Sequence, residues 1–259
     1  MDFVPDSACS ALILPLSCAF SPDCHCRQQV LRSRPVEREA KFSVPDREVF
    51  SRLMVVPSLG TFVVGPTEAK AIRDQYVDTA DSAFLRAWYA CRVRQGAGKS
   101  LVSLKSLETP VGALHSRDEL EVWIEPQTGL DVSRWPRSPA TDLAQRVSQG
   151  QPLLVLFELC QERHVRPLYR GDDPAEVIQL SLDHVYYQDG TQADFLEVEA
   201  ELMPDGDPQD LITLAEILAR DWRLMPVVRS KFERALARAF PELIVDLPLG
   251  PRRQEGAAM

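Results

Sequence analysis

Val36-Glu37-Arg38-Glu39-Ala40-Lys41-Phe42 is the stretch on which the fold turns. Glu37, Glu39 and Lys41 are spaced by two, and a strand places residues so spaced on one face. A solvated edge strand has the same look. Two features point inward instead. The stretch stands just before an apolar-periodic segment carrying Val49, Phe50, Leu53 and Met54, and same-face charge recurs at Arg92/Arg94, Arg117/Glu119/Glu121 and Glu197/Glu199/Glu201. Charges of both signs along one side of several strands imply a barrel with a polar interior, its apolar side turned outward against helices.

The rest of the chain is compatible with that layout. Strands are expected at about 36–44, Ala71–Asp78, Trp88–Gln95, Leu101–Lys105, Arg117–Trp123, Leu153–Tyr169, Val177–Tyr187 and Ala193–Leu202, mostly antiparallel. A helix capped by Asp46 follows the first strand, a short one covers Thr141–Val147, and two more close the chain, from Pro208 to about Trp222 and from Ser230 to Phe240. Residues 57–70 read as a connector with Gly60, Gly65 and Pro66, and Gly96-Ala97-Gly98 as a hairpin turn. The expected organisation is a flexible leader over 1–33, one domain over 34–242 and a frayed tail over 243–259.

Composition excludes several classes. With 259 residues, 45% hydrophobic and 26% charged, the chain has ample core for a globular domain. A net charge of −9 argues against broad nucleic-acid binding, yet leaves room for a local basic pocket. No apolar run approaches the ~20 residues of a membrane span, and the patch Ala11–Leu16 lacks the basic flank of a secretory signal, so a cytoplasmic protein without membrane partner is expected. Of six cysteines, four lie in the first 26 residues, and Cys24-His25-Cys26 has no distal pair to complete a zinc site. Cys91 and Cys160 read as small strand hydrophobes. Gly96-Ala97-Gly98-Lys99-Ser100 lacks the spacing of a phosphate loop.

Glu37-x-Glu39-x-Lys41, followed by the ordered series of charged strands, resembles the CYTH family, the triphosphate tunnel metalloenzymes, over roughly Val36 to Arg238. The resemblance implies an α+β fold, a closed eight-stranded antiparallel β-barrel (the triphosphate tunnel) with external and C-terminal capping helices. Periodicity alone does not give closure. It also implies roles. Glu37 and Glu39 on the first strand, with Glu197 and Glu199 on the last, resemble the family's metal-binding pairs, and oxygen donors suit Mg²⁺ or Mn²⁺. Glu119 and Glu121 resemble mid-barrel carboxylates that hold metal or orient bases. Lys41, Arg92, Arg94, Lys105 and Arg163 resemble the phosphate-binding and catalytic basic set, and Arg117 fits it. Asp183 matches an aspartate facing the tunnel, and Lys231 a lysine on a helix over the tunnel mouth. Glu201 is placed equally in the tunnel or at its mouth.

Two positions depart from the pattern or lie beside it. Where many relatives carry a lysine two residues before the arginine of the second-half basic strand, this chain has Gln161, so that charge must come from Arg163, Arg166 or His164. Tyr76-Val77-Asp78-Thr79 resembles an aromatic-x-Asp-Thr turn of mainly structural use. Buried carboxylates need cations and buried arginines need an anion. A compact polyphosphate with a hard divalent metal satisfies both. The expected activity is metal-dependent hydrolysis of inorganic triphosphate to pyrophosphate and orthophosphate. Thiamine triphosphatase, tunnel-type adenylate cyclase and a non-catalytic polyphosphate-binding module are the alternatives. Trp88 and Tyr89 read as packing residues, not a base platform.

Overall fold

The computed structural model describes residues 36–241 apart from 97, 108–111 and 189–192, so the expected leader, with Cys24-His25-Cys26, and the expected tail lie outside the described residues. β1 (Val36–Val44) and α1 (Arg47–Val55) come first, then the small strands β2 (Ser58–Leu59) and β3 (Phe62–Val64). β4 (Glu68–Asp78), α2 (Ala83–Arg86) and the meander β5 (Tyr89–Gln95), β6 (Ser100–Ser106), β7 (Leu114–Ile124) complete the first half. After α3 (Pro139–Ser148) come β8 (Leu154–Arg170), β9 (Glu176–Tyr187) and β10 (Asp194–Leu202), then α4 (Pro208–Arg220), β11 (Met225–Pro226) and α5 (Lys231–Ala239).

Around the wall the order is β8-β4-β5-β6-β7-β1-β10-β9, and β9 pairs with β8 to close it. Every pairing is antiparallel. The fold is therefore the expected closed eight-stranded barrel with helices outside. Alternation explains which side faces out. On β10, Val198 and Ala200 join the core formed with Leu211 and Leu214 of α4 and Leu53 of α1, while Glu197 and Glu199 take the opposite face. On β7, Leu120, Val122 and Ile124 pack with Leu143 and Ala144 of α3, while His115, Arg117, Glu119 and Glu121 turn inward. Each Leu, Val or Ile so buried contributes roughly 1.5–3 kcal/mol. The charged interior contributes nothing of the kind, so the helices hold the wall from outside.

Caps fix where those helices begin. Asp46 accepts the Val49 N–H at 2.8 Å, as the sequence predicts for α1. Ser230 and Glu233 form a reciprocal capping box at α5, which sets Lys231 as its first residue. Asp78 accepts N–H groups of Thr79, Phe84 and Leu85 at 2.7, 2.9 and 3.0 Å, so the Asp-Thr turn ties β4 to α2.

The connector expected at 57–70 is different. It contains the β2–β3 hairpin, with Leu59, Phe62 and Val64 buried and Val63 exposed. Three residues of alternation are too short for a period to be read. Gly60 makes the turn at φ +59°, and a Cβ there would meet Ile217 Cδ1 of α4 at 2.4 Å. β4 begins at Glu68 rather than Ala71 because β8, at 17 residues, is long enough to pair with all of it and then with β3. No helix among the described residues is long and apolar enough to cross a membrane.

Candidate functional site

Strand register arranges the inward charges along the barrel axis. Glu197 lies beside Asp183, Glu199 beside Ser181 and opposite Lys41, and Glu201 opposite Glu39. Glu37 pairs with Arg117, and Glu119 with Lys105. One end thus carries Glu197 and Asp183, where α5 brings Lys231. The other carries Glu37, Glu121 and Glu201. Between them is a cavity of about 260 Å³. It is lined by Lys41, Arg92, Arg94, Lys105, Arg117, Arg163 and Lys231 and by Glu37, Glu39, Glu119, Glu121, Glu199 and Glu201, with Tyr76 and Phe232 among its few apolar walls.

The bases and acids neutralise one another across the lumen. Lys41 Nζ stands 2.6 Å from Glu199 and 2.9 Å from Glu39. Lys105 Nζ reaches Glu37 at 2.7 Å and Glu119 at 3.2 Å, across the intervening β7. Arg163 grips Asp183 with two hydrogen bonds, 2.8 and 2.6 Å, and touches Glu199 at 2.5 Å. Lys231 Nζ sits 2.9, 2.8 and 2.7 Å from Asp183, Glu197 and Glu199. Arg94 donates twice to Asp74, at 2.8 and 2.9 Å, and Arg92 donates to Ser103 at 3.0 Å.

These contacts set protonation. Burial alone would discharge Lys41, but Glu199 and Glu39 reverse it and raise its pKa. Asp183, Glu197 and Glu199 do the same for Lys231, and Asp183 with Glu199 for Arg163. Lys41, Lys231 and Arg163 are therefore charged at neutral pH. Burial also drives Glu199 upward, yet Lys231, Lys41 and Arg163 hold it well below the carboxylate range.

Most of the predicted residues meet in this cavity, but two do not line it. Asp183 and Glu197 are fully buried behind it. Asp183 fixes Arg163 and Lys231, and Glu197 fixes Lys231 and Arg234, the latter at 2.8 Å. Glu197, expected beside Glu199 as a metal ligand, is thus engaged by two cations under α5. The substitutes weighed for Gln161 are elsewhere. Arg166 donates to the carbonyls of Leu53 and Gly65, and His164 meets the Phe50 ring edge-on at 6.5 Å. Gln161 itself donates to Asp74 at 2.7 Å. Asp74, fully buried and shared by Arg94 and Gln161, is the residue sequence reasoning missed. Its signal was one acid on the Ile72-x-Asp74-x-Tyr76 face. His115, two residues before Arg117 on the inward face, was also missed.

Among the described residues no three acidic, histidine or cysteine side chains converge as a ready metal cage. The donor chemistry nonetheless fits a hard divalent ion. Glu39 is buried, and among the described residues its Oε1 faces Lys41 Nζ alone, at 2.9 Å. Burial, then Glu37, push Glu201 up to about 7, with Glu39 and Glu119 adding to the repulsion. Crowded carboxylates on β1, β7 and β10 are an oxygen set that a cation would relieve.

That crowding is measurable. A carboxyl raised from 4.5 to about 7 favours folding fully below pH 4.5 and loses that contribution as pH climbs to 7. Glu201→Gln, in metal-free buffer, is expected to add about 1–2 kcal/mol of stability at pH 8 and nothing at pH 4, after discounting for its partial exposure. Denaturant titrations at the two pH values check this. Equal gains at both would show that charge is not the cause.

Comparison with known proteins places this geometry. The CYTH domain family model matches residues 36–236. No curated protein matches the chain. Among solved structures, the Hippeastrum protein HpAC1, an adenylyl cyclase candidate with a dominant triphosphatase activity, aligns with TM-score 0.58 and 22% identity over 83% of this chain and 99% of its own. An adenylate cyclase candidate from Bacillus halodurans aligns with TM-score 0.53 and 20% identity over 76% and 95%. At these identities the likeness is one of fold.

Proposed function

This chain belongs to the CYTH domain family, and we propose that it hydrolyses a phosphoanhydride bond of inorganic triphosphate, with Mg²⁺ or Mn²⁺, to pyrophosphate and orthophosphate. The observation that carries the proposal is the cavity: about 260 Å³, walled by cations from five strands and a helix. Pockets that enclose drug-sized ligands run from about 300 to 1,000 Å³, so the enclosed space favours a compact anion over a whole nucleoside triphosphate. The dominant triphosphatase activity of the Hippeastrum protein is in keeping with hydrolysis.

Each side chain has a task in that reaction. Lys41, Arg92, Arg94, Lys105, Arg117, Arg163 and Lys231 bind nonbridging oxygens and offset charge on the transferring phosphoryl and the leaving pyrophosphate. The arginines do so with a planar fork, the lysines as point charges. Asp74, Asp183, Glu197 and Glu199 hold those cations in place. Glu37, Glu39 and Glu119, with Glu201 beside them, would hold the divalent ion, which when bound supplies Lewis-acid charge neutralisation at the phosphates. Oxygen from water ends on the released orthophosphate, and the bridging oxygen leaves with pyrophosphate.

A side-by-side product assay with inorganic triphosphate, thiamine triphosphate and ATP, each with Mg²⁺ and Mn²⁺, tests this. Inorganic triphosphate is expected to show kcat/KM at least about tenfold above the others, a 1.4 kcal/mol preference. One observation favours thiamine triphosphate as the second substrate: Trp123, two residues beyond Glu121 on the same strand face, is 58% exposed and free to stack on a heterocycle. Equal or greater kcat/KM for thiamine triphosphate would overturn the proposal in its favour. Cyclic AMP from ATP would establish a cyclase, and tight binding without turnover a polyphosphate-binding module.

A further inference from the structure

Arg117 differs from every other cation of the cavity. Lys41, Arg92, Arg94, Lys105, Arg163 and Lys231 each have a carboxylate within ion-pair distance. Arg117 is only 4% exposed, yet its single protein partner among the described residues is a histidine: Nη2 meets His115 Nδ1 at 2.6 Å. Its Nε has no hydrogen-bond partner among the described residues. A buried guanidinium left so is costly unless something anionic completes it.

The other side of His115 decides what that contact is. His115 Nε2 lies 2.9 Å from the carbonyl oxygen of Val227. A carbonyl only accepts, so Nε2 carries the proton. Nδ1 then presents a lone pair, and Arg117 donates to it. Val227 is itself anchored, its N–H donating to the Lys41 carbonyl at 3.0 Å, and it stands three residues before the cap of α5. The chain of contacts therefore runs from the segment that delivers Lys231, through the imidazole, to Arg117.

We propose that His115 is a positioning residue: held by the Val227 carbonyl in its Nε2–H form, it aims the cavity guanidinium that no carboxylate among the described residues neutralises at a phosphate of the substrate. This rests on the triphosphate-binding half of the function proposed above. His115 touches no substrate. Its effect passes through Arg117, which distinguishes it from a histidine that merely fills the core.

A double-mutant cycle separates the two. Binding of inorganic triphosphate is measured by titration calorimetry, alongside steady-state kinetics, for His115→Leu, Arg117→Leu, the double variant and His115→Gln, with thermal melts as folding controls. His115→Leu is expected to weaken triphosphate binding about tenfold, as for loss of a hydrogen bond to a charged group, and to raise KM more than it lowers kcat. In the Arg117→Leu background the same change should cost less than about twofold, because its target is gone. His115→Gln, whose amide both accepts and donates, should restore binding to within about threefold. Nitrogen NMR of the intact chain should show the His115 ring protonated at Nε2 alone. Additive losses in the double variant, a Gln variant as weak as Leu, or a ring protonated at Nδ1 would overturn the assignment. Should His115→Leu fail to fold, the Gln variant and the tautomer still decide. Absence of triphosphate binding by the unaltered chain would overturn the functional proposal and this one together, whereas binding with additive losses overturns this one alone.

Discussion

Glu39→Gln is expected to lower kcat/KM for inorganic triphosphate by about 100- to 1,000-fold, the range seen when one preorganised electrostatic group is removed from a water-poor site. The change keeps shape and removes one negative charge. Glu39 is 4% exposed, and the close partner of its Oε1 among the described residues is Lys41 Nζ at 2.9 Å, a cation that Glu199 also holds. It also stands opposite Glu201, the carboxyl that crowding holds up at about 7. A group so placed contributes little to the folded state, and removing it eases repulsion on Glu201. Lys41 keeps Glu199 at 2.6 Å, so it gains no unpaired charge. Stability should accordingly stay within about 1 kcal/mol of the original or rise. Calorimetry with Mn²⁺ and triphosphate should show weaker metal binding. Unchanged metal affinity with unchanged turnover would remove Glu39 from the ion's donors.

The same contrast explains what could be read from the sequence. An inside-out barrel writes its interior as charge every second residue, so Glu37/Glu39/Lys41, Arg92/Arg94 and Arg117/Glu119/Glu121 stood out against apolar neighbours. What did not stand out depends on register between distant strands. Glu197, Glu199 and Glu201 have one spacing and three environments. Glu197 lies under α5 against Lys231 and Arg234, Glu199 among Lys41, Arg163 and Lys231, and Glu201 among like charges. Position along the barrel axis separates them, and spacing carries no record of that. Lys105 meets Glu37 across β7, a pairing that exists only because β1, the first strand in the sequence, lies beside β7. The β2–β3 hairpin escaped for a simpler reason: two and three residues hold no measurable period.

Asp74→Ala is expected to cost about 3–5 kcal/mol of folding stability, the penalty for breaking a buried charge pair by removing one partner. Asp74 is fully buried on β4 and satisfies three side chains. Arg94 donates to both of its oxygens, Gln161 donates to Oδ2 at 2.7 Å, and Arg92 stands 3.8 Å away. Gln161 is the position that departs from the pattern of the family, and the structure gives a reason that it is tolerated: an amide there serves Asp74 without adding a further cation to Arg92, Arg94 and Arg163. Without the carboxylate, Arg94, half-buried, loses its one carboxylate partner among the described residues and Gln161, buried, its acceptor, so two donors are stranded at once. Activity should fall with stability, since Arg92 and Arg94 lose the group that orients them. Acid should reproduce part of this in the unaltered chain. Burial pushes the Asp74 carboxyl up, but Arg92 and Arg94 outweigh it and hold the pKa below the ordinary 3.8. Its contribution is therefore complete above 3.8 and is lost as pH falls through the lower folded value. The gap in stability between the original chain and Asp74→Ala should be constant from pH 8 to pH 5 and narrow below about 4. Urea titrations across that range measure it, and a gap that stays constant down to pH 2 would mean that packing, not the charge, makes Asp74 matter.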